Sequence, residues 1–137
     1  MFERIVVAVD GSEPAQRALP VAADIASRYR SEVIVLQVFA EDVERGRAVA
    51  LGAPQGSLDV ADRAARLLKD AGTSARAEVR EARAGGAAHE IVRLAADEDA
   101  GLIVIGSLGT SDWLGLSVGS IAHQVVHLSS VPVLTVR

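Results

Sequence analysis

A group of small and polar residues late in the chain has the types and order needed to hold an anion. From Ala100 to Ile121 the sequence reads AGLIVIGSLGTSDWLGLSVGSI. Leu102 to Ile105 is an apolar run suited to a buried strand. Gly106, Gly109, Gly115 and Gly119 then break the pattern, and after Ser117 or Gly119 it turns helical. A strand, a glycine-rich loop and a helix start can together cradle phosphate. Glycine lets backbone come close to a ligand, and the first N–H groups of a helix lack intrahelical partners. Earlier in the chain, Asp10-Gly11-Ser12 follows another apolar run and offers a carboxylate and a hydroxyl. The plainer alternative is that these glycines only make tight turns and that Asp10 only favours one.

Other chemistry finds less support. Ser12, Ser107 and Ser120 do not stand in a G-x-S-x-G elbow, and no histidine is placed by sequence to activate them, so no catalytic residue is assigned. His123 and His127 are spaced i, i+4 on a helical pattern and could share a face. A metal needs a third ligand, and the H-E-x-x-H arrangement is absent, so the pair is read as solvated or packed and no metal site is assigned. His89 stands alone. Trp113 lies in the glycine loop, where it could cap a pocket, pack on a partner or anchor the loop. There is no Walker G-x4-G-K-[ST], and no G-x-G-x-x-G after the first strand.

The elements that must position these residues follow from the apolar pattern. Ile5 to Val9, Val33 to Phe39 and Leu102 to Ile105 are continuous aliphatic runs, as expected of strands covered on both faces. Ala75 to Glu81 alternates, which suits a sheet edge. Val131 to Val136 is a fifth strand, and Pro132, which lacks a ladder donor, belongs at its start or on an outer edge. Between the strands, Ala15 to Ala26, Leu58 to Ala71, Ile91 to Ala95 and about Gly119 to Leu128 carry helical spacing. Ser12 is the expected N-cap of the first helix, with Pro14 in its first turn. Ala40 to Gly56 reads as a loop with one helical turn at most. Alternating strands and helices define an α/β three-layer sandwich: a five-stranded, mostly parallel, doubly wound sheet with about four helices. In such a sheet the loops after the first and fourth strands meet where strand order reverses, so Asp10 and the glycine loop are expected together.

Composition narrows the function. The chain has 137 residues, a length that fits one domain over residues 1–137. A formal net charge of −4 gives no footprint for nucleic acid, and only four aromatic side chains are available for stacking on bases. There is no cysteine, which rules out disulfides, thiol catalysis and cysteine-bound zinc. No run approaches the ~18 apolar residues of a spanning helix, and Ile5 to Val9 is too short for a secretory core. The expectation is a soluble cytoplasmic protein with no membrane partner.

Gly106, Gly109, Gly119 and Ser120 form G-x2-G-x9-G-S. This spacing resembles the nucleotide signature of the universal stress protein family, in its ATP-binding branch. The first strand ending in Val-Asp-Gly-Ser and the closing Ser-Val-Pro-Val-Leu-Thr-Val-Arg are also similar to that family, and the likeness covers the whole chain. The resemblance implies a regulatory or stress-response module binding ATP, or AMP or ADP in its place, with Mg²⁺ held through the nucleotide, and a sheet ordered 3-2-1-4-5. It implies that Asp10 lies near the adenine or a bound metal and that Val38 offers backbone groups to the adenine edge. Gly106 would lie against the ribose, and Gly109, Gly119 and Ser120 would hold phosphate oxygens. Ile105 and Ile121 would line the apolar walls. It also implies a homodimer through the last strand and a protein partner of unknown identity.

One departure bears on this. Relatives often carry a basic or polar residue where Leu108 stands, and no Lys or Arg occurs from Ser107 through Val118, while Asp112 adds a negative charge. Neutral backbone donors would then meet the phosphates, so triphosphate binding is expected to be modest or to depend on Mg²⁺. Any hydrolysis is expected to be slow, because no general base is evident. A dimeric interaction module with an empty or AMP-filled pocket is the alternative.

Overall fold

A computed structural model describes residues 1–42, 47–50, 59–107 and 120–137, with backbone alone for 40–42, 47–50 and 120. In chain order the elements are β1 (Arg4–Ala8), α1 (Glu13–Tyr29), β2 (Glu32–Asp42), β3 (Arg47–Ala50), α2 (Val60–Asp70), β4 (Ala75–Ala82), α3 (Ala87–Asp97), β5 (Leu102–Gly106), α4 (Ser120–Leu128) and β6 (Val133–Val136). The parallel strands run β4-β2-β1-β5-β6, which is the order 3-2-1-4-5 expected for the five apolar runs.

The aliphatic runs are central because both their faces are covered. Odd-numbered residues of β1 and β2 (Ile5, Val7, Val33, Val35) pack with Ala15, Ala18, Ala22 and Ala26 of α1 and with Ala61, Ala64, Ala65 and Leu68 of α2. Even-numbered residues (Val6, Ile34, Leu36, Val38), with Ile103 and Ile105, pack with Ala88, Ile91 and Leu94 of α3 and Ala122 and Val125 of α4. Alanine on the inward stripe of α1 brings that helix close to the sheet, which suits a core with few aromatics. β4 is an edge strand, as its alternation required: within the sheet it pairs with β2. Its polar side chains are bound into ion pairs: Arg76 with Glu32 and Glu98, Arg80 with Glu90 and Asp97, and both with Glu78 between them.

Local signals set the helix ends. Ser12 caps α1, its hydroxyl accepting from the Ala15 N–H at 3.4 Å, and Pro14 lies in the first turn. Arg30 closes the same helix in the left-handed region, with φ of 56°. Strand β6 begins at Val133, just after Pro132, whose carbonyl accepts from the Ile103 N–H. A Ser129 turn leads into it, the hydroxyl bonding both the N–H and the C=O of Val131.

One element differs from the expectation. Within Ala40 to Gly56, read from sequence as a loop with at most one helical turn, Arg47–Ala50 forms strand β3, antiparallel to Phe39–Asp42 of β2. The rest of that stretch, residues 43–46 and 51–56, lies outside the described residues. Strand β2 outlasts β1 by several residues: its pairing with β1 reaches Leu36, whereas its pairing with β4 continues to Ala40. At Phe39 and Ala40 one edge of β2 is taken by β4, so β3 occupies the other, beyond the end of β1. Among the described residues, no helix is long and apolar enough to cross a membrane.

Candidate functional site

Strand order reverses between β1 and β5. These neighbours are parallel, paired from Ile5 with Leu102 to Ala8 with Ile105. From β1 the chain moves to β2 on one side, and from β5 to β6 on the other. Their carboxyl ends therefore open a crevice between diverging connections. The described residues at that end are Val9, Asp10, Gly11 and Ser12 after β1, Gly106 and Ser107 at the end of β5, and the start of α4 at Ser120.

Asp10 is half-buried, and its Oδ1 accepts from the Ser12 N–H at 2.8 Å. The turn needs Gly11, which has φ of 79°, a conformation that L side chains rarely adopt. Asp10 thus has a structural duty in the turn that follows β1. Val38 is 6 % exposed. The Val9 N–H donates to the Leu36 carbonyl, the last rung between the β1 segment and β2. Pairing with β3 starts at Phe39 opposite Ala50. Backbone groups alternate between strand edges, and Val33 donates toward the β4 side, to the Ser74 carbonyl. The N–H and C=O of Val38 therefore face the β1 side, between the last rung to β1 and the first to β3.

Gly106 ends β5, and a Cβ there would stand 2.7 Å from the Pro14 carbonyl carbon and 2.8 Å from the Ala15 nitrogen. The first turn of α1 thus lies directly on the strand end. Ile105 is buried, and Ile121 is partly buried against the same cluster on the α3 and α4 face. Ser120 is the first described residue of α4. Gly109 and Gly119 lie outside the described residues, as do Leu108, Asp112 and Trp113.

Two buried polar side chains went unassigned in the sequence reading. The carbonyl oxygen of Gln37 accepts from the Ala61 N–H at 3.3 Å, satisfying a free donor at the start of α2. Its signal was a glutamine inside an otherwise aliphatic strand. Ser107, read from sequence only as an unsupported nucleophile, is 3 % exposed and its N–H donates to the Val136 carbonyl at 2.7 Å. The rings of His123 and His127 do share a face, stacked edge-on with centroids 4.5 Å apart, and both are exposed. Among the described residues, no cluster of three or more His, Cys, Asp or Glu could hold a metal.

In open, mostly parallel α/β sheets the strand ends at the switch point are where small ligands commonly sit, and here that point lies between β1 and β5. The comparison with known proteins narrows this. The family model described as "Universal stress protein family" matches residues 1–137, and the chain belongs to that family. It is 32 % identical over 148 aligned positions to universal stress protein YxiE of Bacillus subtilis, covering 100 % of both chains. It is also similar to a universal stress protein solved in complex with cAMP, at 27 % identity and a TM-score of 0.72, covering 99 % of this chain and 97 % of that one. The universal stress protein from Archaeoglobus fulgidus solved in complex with dAMP shares the fold, with a TM-score of 0.73 and 22 % identity over 100 % of this chain and 98 % of that one.

Proposed function

We propose that this protein is a regulatory nucleotide-binding module that takes an adenine nucleotide across the carboxyl ends of β1 and β5. The observation that carries this reading is convergence. Asp10, Val38, the Ile105–Gly106 pair and Ser120 come from four segments separated in sequence, yet all stand at one end of one sheet. Each offers what a nucleotide needs. Val38 presents backbone groups at the β1 side of β2, where an adenine edge can pair. Ile105 and Ile121 supply apolar wall. Gly106 lies against the ribose, and Ser120, with Gly109 and Gly119, presents neutral donors to phosphate. Asp10 stands where it can meet the adenine or a nucleotide-bound Mg²⁺. The complexes with cAMP and dAMP formed by similar proteins support an adenylate ligand.

ATP with Mg²⁺ is the leading ligand. The absence of Lys and Arg from Ser107 through Val118 favours a second reading, in which AMP or ADP is the main occupant of a dimeric interaction module. Acid release and mass spectrometry of whatever copurifies with freshly isolated protein separates the two. Stoichiometric ATP supports the first, AMP or ADP supports the second, and no adenine compound with no binding on titration contradicts both. Submicromolar ATP affinity that is unchanged on removing magnesium contradicts the dependence on Mg²⁺. In either reading the protein pairs with a second copy through the strand β6, in which Leu134 is 36 % exposed. Sedimentation of a Leu134→Lys variant as monomer, against a dimeric parent, checks this.

A further inference from the structure

Among the described residues, one buried hydroxyl has no partner, and it lies at the ligand crevice. The described polar residues buried in the molecule are Ser12, Ser31, Gln37 and Ser107. The hydroxyl of Ser12 accepts from Ala15, that of Ser31 donates to the Phe2 carbonyl, and the Gln37 oxygen accepts from Ala61. The Oγ of Ser107 has no hydrogen-bond partner among the described residues. A buried hydroxyl that has given up water without gaining a partner is destabilising, and in a native protein it calls for an explanation.

Its placement suggests the explanation. The Ser107 N–H to Val136 bond carries the β5–β6 ladder one residue past Gly106. The strand pleat then puts its side chain on the same side as Ile103 and Ile105, the face covered by α3 and α4. The opposite face of this strand end is closed by Pro14 against Gly106. Ser107 therefore lies on the side where α4 begins, and the first N–H groups of that helix favour an anion.

We propose that Ser107 is a ligand-binding residue whose hydroxyl donates its hydrogen bond to a phosphate oxygen of the bound nucleotide. This rests on the adenine-nucleotide reading above and adds a phosphate contact to it. A neutral donor fixed in a buried position suits a phosphate loop that lacks Lys and Arg. The unpaired hydroxyl of the free protein is then the cost of a group held ready, and ligand binding relieves it.

The test is calorimetric titration of AMP, ADP and adenosine into the parent protein, Ser107→Ala and Ser107→Cys, with the melting temperature of each free protein. The alanine variant should melt no lower than the parent, because removing an unpaired hydroxyl leaves nothing unsatisfied. It should bind AMP and ADP about tenfold more weakly, the loss expected for one hydrogen bond to a charged group, and bind adenosine equally well. The cysteine variant keeps the size but is a poor donor, and should show the same selective loss. Three results would overturn the proposal: equal AMP affinity in parent and variants, equal weakening of adenosine and AMP, or a fall in melting temperature of roughly 3 °C or more, which marks an internal partner. If the parent binds AMP and the variants bind it equally, the role of Ser107 alone fails. If the parent binds none of the three ligands, the nucleotide reading fails and the Ser107 role falls with it.

Discussion

Gly106 and Pro14 meet at a distance that leaves no room for a side chain: a β-carbon on Gly106 would stand 2.9 Å from the Pro14 Cβ and 2.7 Å from its carbonyl carbon. This contact joins the end of β5 to the first turn of α1. It sets the distance between the two loops that form the crevice, so the glycine is structural as well as a candidate neighbour of the ribose.

Replacing Gly106 with alanine should therefore push α1 away from the strand end. Rigid backbone and a proline ring face the new methyl, and neither can turn aside. The expected loss is about 1–3 kcal/mol, the usual range for overpacking, read as a lower urea midpoint. Nucleotide affinity should fall with it, because the crevice is re-spaced. A fully stable Gly106→Ala protein would show that the first turn of α1 is free to move.

Asp10 has two separable duties. Its Oδ1 holds the Ser12 N–H, and in the proposed function its charge meets the nucleotide or its Mg²⁺. Asn keeps an acceptor oxygen for that turn and removes the charge; Ala removes both. Asp10→Asn should melt near the parent temperature yet lose the magnesium-dependent part of ATP binding. Asp10→Ala should in addition lose stability, by about 1 kcal/mol. If Asp10→Asn binds magnesium–ATP as the parent does, the carboxylate has no ligand role.

Gln37 reaches from β2 to the start of α2, where Asp59 makes no side-chain cap bond of its own. A similarly sized apolar residue fills the space but leaves the buried Ala61 N–H without that acceptor. Gln37→Leu should cost about 1–2 kcal/mol, comparable to loss of a helix cap. Hydrogen exchange of the first turn of α2 should speed up more than that of α1. Unchanged exchange there would show that the bond to Ala61 contributes little.

The ion pairs differ in what they hold together. Arg76 contacts Glu32, Glu78 and Glu98, and joins β4 to β2 and to the end of α3. Its hydrogen bond to Glu98 is the main reason its pKa is raised above the ordinary arginine value. Arg63 pairs with Asp59 within one exposed turn of helix. Arg76→Ala should destabilise the protein measurably, by about 1 kcal/mol, with an effect reduced by salt. Arg63→Ala should leave the urea midpoint within experimental scatter. The Arg63 hydrogen bond holds the Asp59 carboxyl below its ordinary value. Its small contribution is present at neutral pH and is lost as pH falls below about 4, the unfolded value, toward the folded one. Equal effects of the two arginine substitutions would contradict this ranking.

The parallel sheet was legible because its central strands are aliphatic on both faces and its edge strand β4 is not. The order of the strands came with the family resemblance, and the pairing agrees with it. Strand β3 was not legible: Arg47–Ala50 is short, has no alternation, and forms only because β2 outlasts β1 and leaves an edge to fill. The crevice could be located from Asp10-Gly11-Ser12 and the glycine spacing, since both follow apolar runs. The packing of Pro14 on Gly106, the trans cap from Gln37 and the unpaired hydroxyl of Ser107 depend on contacts between elements distant in sequence. No local pattern encodes those. The roles assigned to Gly109 and Gly119 fall outside the described residues.

The central claim is that an adenine nucleotide sits between the ends of β1 and β5. Titration of AMP and magnesium–ATP into isotopically labelled protein, followed by backbone amide resonances, tests location and ligand together. The account predicts saturable shifts at Asp10, Val38, Gly106, Ser107 and Ile121, with Leu67 on α2 and Ala75 at the far end of β4 unchanged. Shifts confined to other parts of the molecule, or none at millimolar nucleotide, would contradict it.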